Sequence, residues 1–279
     1  MDISFQSLLF FIIIIMKKVI FTNVAWIGNA GDYYSAPGMY YKFPNINIHH
    51  IHFLDFYGAM TKNPDFEEYN VKNKIIVIGG GGLITDEGYY LQDTVNWLVE
   101  NNKVIFWGVG SNAFQKPYYE IFNNKNVLLV GTRDISPSFN YDYVPCVSCK
   151  SHLFDSDYQI NSEIGIIEHP LHPVNIEGLP KISNSENIDT IIEFLGSKEV
   201  IISSTFHGIY WSQLLGKKVL YYTEDEKINL KYYNMKNRVE FCNSIDYSEK
   251  INIISSLKNF KEESRKFNDD FYKKVSNLL

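Results

Sequence analysis

The chain has 279 residues, 45% of them hydrophobic, which is enough to bury one large core or two ordinary ones. Its net charge of −6 leaves no basic surplus to neutralise a phosphate backbone, so a nucleic-acid partner is not expected. Three cysteines are too few for a disulfide framework and point to a reducing, cytoplasmic compartment.

The first element is an apolar run, SLLFFIIIIM, at residues 7–16. It is about half the length that spans a bilayer, and Asp2 precedes it where a secretory signal would carry positive charge. Residues 1–15 are read as an N-terminal extension, or as a short peripheral contact with the inner face of the membrane.

From residue 18 onward, short β-branched runs alternate with segments of helical length. Strands are expected at 18–24 (KVIFTNV), 49–54, 74–78 (KIIVI), 103–108 (KVIFWG), 127–131 (VLLVG), 163–167 (EIGII), 200–203 (VIIS) and 218–222 (KVLYY). Helices are expected at 88–101, 187–195 and 208–215, with one or two amphipathic helices over 248–279. Continuous apolar strands alternating with helices indicate an α/β fold with parallel sheets. The polar, aperiodic stretch PCVSCKSHLFDSDYQIN at 145–161 suggests a boundary. The expected organisation is therefore 16–150 and 151–279, two Rossmann-like domains facing a cleft.

Five stretches could carry chemistry. In NVAWIGNAGDYYSAPG, Asn29, Gly31 and Asp32 form a tight turn after the first strand. Asp32 is either a helix cap or a general base facing the cleft. In KIIVIGGGGLITDEG, Gly80, Gly81 and Gly82 follow a strand, with a helix expected a few residues on. Glycine there lets a backbone approach a ligand closely, although the run is neither GxGxxG nor GxxxxGK[ST]. Asp86 is a second candidate base. In VLLVGTRDISPSF, Arg133 offers a planar fork to a carboxylate or phosphate, next to Asp134 and Ser136.

The fourth stretch is IISSTFHGIYWSQLLGKKVLYY, residues 201–222. His207 stands where a strand turns into a helix, amid Ser203, Ser204, Thr205 and Gly208. A helix N-terminus disfavours a cationic imidazole and favours a bound anion. The fifth, PCVSCKSH, places Cys146, Cys149 and His152 at half of a zinc-site spacing, with only His169 and His172 to complete it. Four ligands are normal for structural zinc, so buried thiols and no metal are expected.

The sequence NAGD, the glycine run, GTRDISPSF and ISSTFHGIYWSQLLGKKVL, in that order over about residues 17–222, resemble the polysaccharide pyruvyl transferase family. The resemblance implies a GT-B-like fold and a transferase that takes phosphoenolpyruvate as its donor substrate. A pyruvate ketal would form on a sugar of a surface polysaccharide or its lipid-linked precursor, with no cofactor. Arg133 and His207 match the family residues that engage the donor's anionic groups, and His207 would serve as the acid. Tyr210 and Trp211 stand where smaller residues are common in the family. Two other classes remain open. One is a GT-B-like glycosyltransferase using a nucleotide sugar, with Glu224, Asp225 or Glu226 on the ribose. The other is a non-catalytic glycan-binding member.

Overall fold

The structure is a computed structural model; it describes residues 18–24, 28–44, 46–62, 71–113, 116–135, 140–224 and 239–279. The apolar N-terminal extension, Ser136, Asp225 and Glu226 lie outside the described residues.

The first sheet comprises β1 (Lys18–Thr22), β2 (Asn47–His50), β3 (Ile75–Ile78), β4 (Gly81–Ile84), β5 (Lys103–Ser111), β6 (Val127–Thr132) and β7 (Asp142–Tyr143). Its spatial order is β2-β1-β3-β5-β6-β7, with β4 beside the far half of β5. The second sheet comprises β8 (Ser162–Glu168), β9 (Lys181–Ser183), β10 (Lys198–Ser203), β11 (Lys218–Tyr222) and β12 (Glu240–Cys242), in the order β12-β11-β10-β8-β9. All pairings between these strands are parallel.

Both faces of each sheet are covered, which explains the continuous apolar runs. Ile76 and Ile78 join one core, packed under α3 (Tyr90–Asn101) through Val95 and Leu98. Val77 between them joins a core on the other face, against Phe271 and Val275 of α7 (Phe260–Leu278). In the second sheet, Ile201 packs with Ile191 of α4 (Ile188–Gly196) and Ile209 of α5 (Phe206–Leu214). Its neighbours Val200 and Ile202 face a separate core with Val174 and Ile251.

In each sheet the first strand lies between the second and the third: β1 between β2 and β3, β8 between β9 and β10. The chain therefore leaves that strand in opposite directions on successive crossovers. A crevice opens there at the carboxyl edge, where open α/β sheets bind ligands.

Several expectations change. The strand expected at 49–54 ends at His50, and α2 (Phe53–Met60) begins because the His52 side chain accepts from the Leu54 N–H at 3.2 Å, capping the helix. The glycine run does not lead into a helix. Gly81, at φ +101°, lets the chain bend and resume as β4 beside β5. A Cβ on Gly79 would lie 2.5 Å from Pro37, and one on Gly80 2.9 Å from Ser35. Those two glycines thus admit a neighbouring chain segment. The short strands β4, β7, β9 and β12 have too few residues to show a period in sequence.

The amphipathic tail covers a sheet, but largely the first one, although it follows the second in sequence. Asn268 Oδ1 accepts from Trp107 Nε1 at 2.9 Å, and the Phe271 ring lies 5.2 Å from Trp107. Phe260, at the start of the same helix, packs edge-on against Tyr210 of α5 at 5.7 Å. Among the described residues, no helix is long and apolar enough to cross a membrane.

Candidate functional site

A pocket of about 680 Å³ opens where the carboxyl edges of the two sheets meet. One wall comes from the first sheet. It carries Asn29 and Asp32 of α1 (Ala30–Tyr33) and its cap, Gly82 of β4, and Arg133 just beyond β6. The other wall comes from the second sheet, with Ser204, Thr205, Phe206 and His207 beyond β10 and Asn184 beyond β9.

The turn after β1 is self-organised. Asn29, not Asp32, caps α1: its Oδ1 accepts from the Gly31 N–H at 3.1 Å, and its Nδ2 donates to Asp32 Oδ2 at 2.8 Å. Asp32 therefore sits inside the first turn and lines the pocket. Ala30 N–H donates to the Asn184 carbonyl at 3.0 Å, which ties α1 to the second sheet.

The turn after β10 is built by its hydroxyls. Thr205 caps α5, its Oγ1 accepting from the Gly208 N–H at 2.9 Å. Ser203 Oγ accepts from the Thr205 N–H at 3.0 Å, and Gly208 makes room for it: a Cβ there would lie 2.3 Å from that oxygen. Ser204 Oγ donates to the His172 carbonyl at 2.6 Å and accepts from the His169 N–H at 3.1 Å. These contacts fix the loop after β8 against the loop after β10.

His207 is buried, at 6% exposure, in the first turn of α5. Its ring is tilted over Trp211 at 5.2 Å, and its Nε2 lies 3.4 Å from Cys146 Sγ. Tyr210 donates to the Cys146 carbonyl at 2.8 Å, and Trp211 Nε1 donates to Ser148 Oγ at 3.0 Å. The two large residues of α5 thus anchor the 146–150 segment beneath the histidine. All three cysteines are free and buried. Burial pushes the Cys146 thiol pKa up and that of Cys149 up to about 12. Among the described residues, no group of three metal-ligating side chains converges.

Arg133 stands at the pocket wall. It is 5% exposed, and its guanidinium carbon lies 3.6 Å from the centroid of the Phe206 ring. Its Nε and Nη1 are buried without a hydrogen-bond partner among the described residues. Burying a cation this way is costly unless an anion completes it. Gly110 makes the placement possible, since a Cβ there would lie 2.2 Å from Arg133 Nε.

The structure therefore gathers Asn29, Asp32, Gly82, Arg133, Ser204, Thr205 and His207 around one pocket. It sets others back from it. Gly31, Gly80, Gly81, Ser203 and Gly208 shape the surrounding backbone. Asp134 turns inward, where its Oδ2 accepts from the Ser111 N–H at 2.5 Å and from Tyr119 Oη at 2.6 Å. Its carboxylate holds the end of β5 in place of a ligand. Asp86 lies away from the pocket and accepts from the Lys116 N–H at 2.7 Å.

Sequence reasoning missed Phe206, although an aromatic directly before the histidine was visible. It also missed Asn184, whose Oδ1 is buried with no partner among the described residues. Nothing in SNSEN, where Asn184 sits, marks it out. Glu224 lines the far side of the pocket, where it accepts from Tyr222 Oη and from the Ser244 N–H at 3.1 Å. Those bonds lower its pKa, while burial followed by the Glu224 contact pushes Tyr222 up to about 12.

No family model matches the chain, and no curated protein matches it. Among solved structures, the chain is similar to an uncharacterized protein from Klebsiella pneumoniae, at 18% identity and a TM-score of 0.52. The alignment covers 86% of this chain and 99% of that one. That likeness concerns the fold alone: an α/β chain of parallel sheets flanked by helices.

Proposed function

We propose that the protein transfers a pyruvyl group from phosphoenolpyruvate to two hydroxyls of a sugar, on a surface polysaccharide or its lipid-linked precursor. In this reading the two sheets are two Rossmann-like domains in a GT-B-like arrangement, and the pocket is their cleft. The observation that carries it is Arg133: a buried guanidinium, held over Phe206 at the pocket wall, with two nitrogens that have no hydrogen-bond partner among the described residues. Such a group calls for a small, dense anion, and phosphoenolpyruvate offers both a carboxylate and a phosphate.

The reaction needs few groups. Two sugar oxygens bond to the enol carbon, and the bond from that carbon to the phosphate oxygen breaks. One hydroxyl proton ends on the methylene carbon, which becomes a methyl, and the other leaves with the phosphate. Asp32 is the pocket carboxylate suited to take a hydroxyl proton. Arg133 holds the donor's charge, and His207 donates a hydrogen bond to the departing phosphate. No cofactor enters this scheme.

Calorimetric titration with phosphoenolpyruvate, followed by phosphate release in the presence of glycan or lipid-linked acceptors, tests the reading. Absence of both binding and release sinks it. A second reading, transfer from a nucleotide sugar, draws on Glu224 at the far side of the pocket, where a ribose hydroxyl could be met. Thermal stabilisation by UDP, GDP or CMP but not by phosphoenolpyruvate would favour it.

A further inference from the structure

His207, Cys146, Ser148 and Trp211 form a buried row whose hydrogen atoms can be assigned by elimination. Trp211 Nε1 carries a hydrogen and cannot accept, so it donates to Ser148 Oγ at 3.0 Å. Ser148 is completely buried, and Cys146 Sγ, at 3.2 Å, is the one acceptor its hydroxyl hydrogen reaches among the described residues. The hydroxyl therefore donates to that sulfur. Cys146 is also completely buried, and among the described residues the acceptor left for its thiol hydrogen is His207 Nε2 at 3.4 Å. The opposite direction would strand the Ser148 hydroxyl hydrogen without an acceptor, which buried polar groups avoid.

We infer that the row Trp211–Ser148–Cys146 holds His207 as a neutral imidazole with its proton on Nδ1. That side of the ring abuts Gly31 of α1, the helix that brings Asn29 and Asp32 to the pocket. Cys146, Ser148 and Trp211 are thus positioning residues, acting through His207.

The surroundings agree in sign. Burial keeps the Cys146 thiol protonated, so it remains a donor. The N-terminal turn of α5 and the Arg133 guanidinium across the Phe206 ring both oppose an imidazolium. Asp32, on the pocket wall, carries the opposite sign and favours one.

The mechanistic consequence rests on the proposed transfer. A neutral His207 does not act as a cationic acid. The proton that leaves with the phosphate then originates from an acceptor hydroxyl.

The tautomer can be read without substrate. The full chain, labelled with 15N-histidine, would be examined at neutral pH by long-range 1H–15N correlation. The His207 signals are identified by their loss in His207→Gln. The expected result is a neutral ring protonated at Nδ1. Cys146→Ala should shift it towards Nε2–H or a mixture, and Cys146→Ser, which keeps a donor, should restore it. An Nε2–H or doubly protonated ring in the unaltered protein overturns the inference, as does an unchanged ring in Cys146→Ala. If that variant does not fold, the spectrum of the unaltered protein decides alone. Failure to bind phosphoenolpyruvate with the expected tautomer present would count against the proposed transfer and leave the row intact.

Discussion

Gly31 and His207 are in such close contact that a Cβ on the glycine would lie 2.0 Å from the imidazole Nδ1. They are brought together from opposite sheets, one on α1 and the other on α5. No ordinary Cβ contact is that short, so Gly31→Ala must displace either the ring or the four-residue helix. The expected outcome is at least tenfold slower phosphate release, equivalent to about 1.4 kcal/mol of transition-state stabilisation. Steady-state kinetics with phosphoenolpyruvate and a competent acceptor checks it. An alanine variant of full activity would show that this contact does not position His207.

Arg133 should be worth more to binding than to stability. Arg133→Met keeps apolar contact with Phe206 and removes a buried charge two of whose nitrogens have no hydrogen-bond partner among the described residues. Charge-assisted hydrogen bonds contribute roughly 1.5–3 kcal/mol, so phosphoenolpyruvate affinity should fall about ten- to a hundredfold. The melting temperature of the empty protein should hold or rise. Arg133→Lys should not rescue binding, because an ammonium lacks the planar fork. Calorimetry and thermal unfolding, done on the same preparations, separate the two effects.

Asn184 makes a different demand. A buried amide oxygen at the pocket wall with no partner among the described residues calls for a donor, and sugar hydroxyls are donors. Asn184→Leu should raise KM for the acceptor about tenfold, by about 1.4 kcal/mol, and leave phosphoenolpyruvate affinity within twofold. Equal losses for both substrates would instead show that the Asn184 side chain shapes the pocket as a whole rather than meeting the acceptor.

The return of α7 to the first sheet predicts an acid-sensitive attachment. Arg265 on α7 bonds to both carboxylate oxygens of Asp155, at 2.7 and 3.0 Å, and Lys261 Nζ lies 3.2 Å from Oδ1. These contacts, Arg265 foremost, depress the Asp155 pKa below 3.8. A depressed carboxylate stabilises the fold fully above its unfolded pKa and loses that contribution as pH falls through the folded one. The protection of α7 amides against hydrogen exchange, taken relative to the intrinsic rate at each pH, should therefore fall as the pH drops below about 4. Asp155→Asn should show the lower protection already at neutral pH. Phe271→Ala, which empties a fully buried ring site against Trp107, should cost about 3–5 kcal/mol at any pH.

Much of this was legible in the sequence, and the reason is local. IIVI, KVIFWG and VIIS are continuous apolar runs, and only strands covered on both faces use them that way. The carboxyl-edge position of Arg133 and of His207 followed from the strands before them. Where a cue depended on a distant partner, it misled. Within the glycine run only Gly82 lines the pocket, whereas Gly79 and Gly80 make room for Pro37 and Ser35, some forty residues upstream. Asp134 looked like part of an anion site, yet its carboxylate folds back onto Ser111 and Tyr119. Tyr210 and Trp211 had no local rationale until the 146–150 segment was seen to hang from them.

The sequence by itself determined the α/β class, the parallel sheets and the residue types at their carboxyl edges, because period and apolar run length act over a few residues. Only the tertiary structure decided which of those edges share a pocket, that two Arg133 nitrogens have no hydrogen-bond partner there among the described residues, and that Cys146 stands against His207. Those facts depend on how two sheets and a returning helix pack, and packing between residues tens to hundreds of positions apart leaves no period in the chain to read.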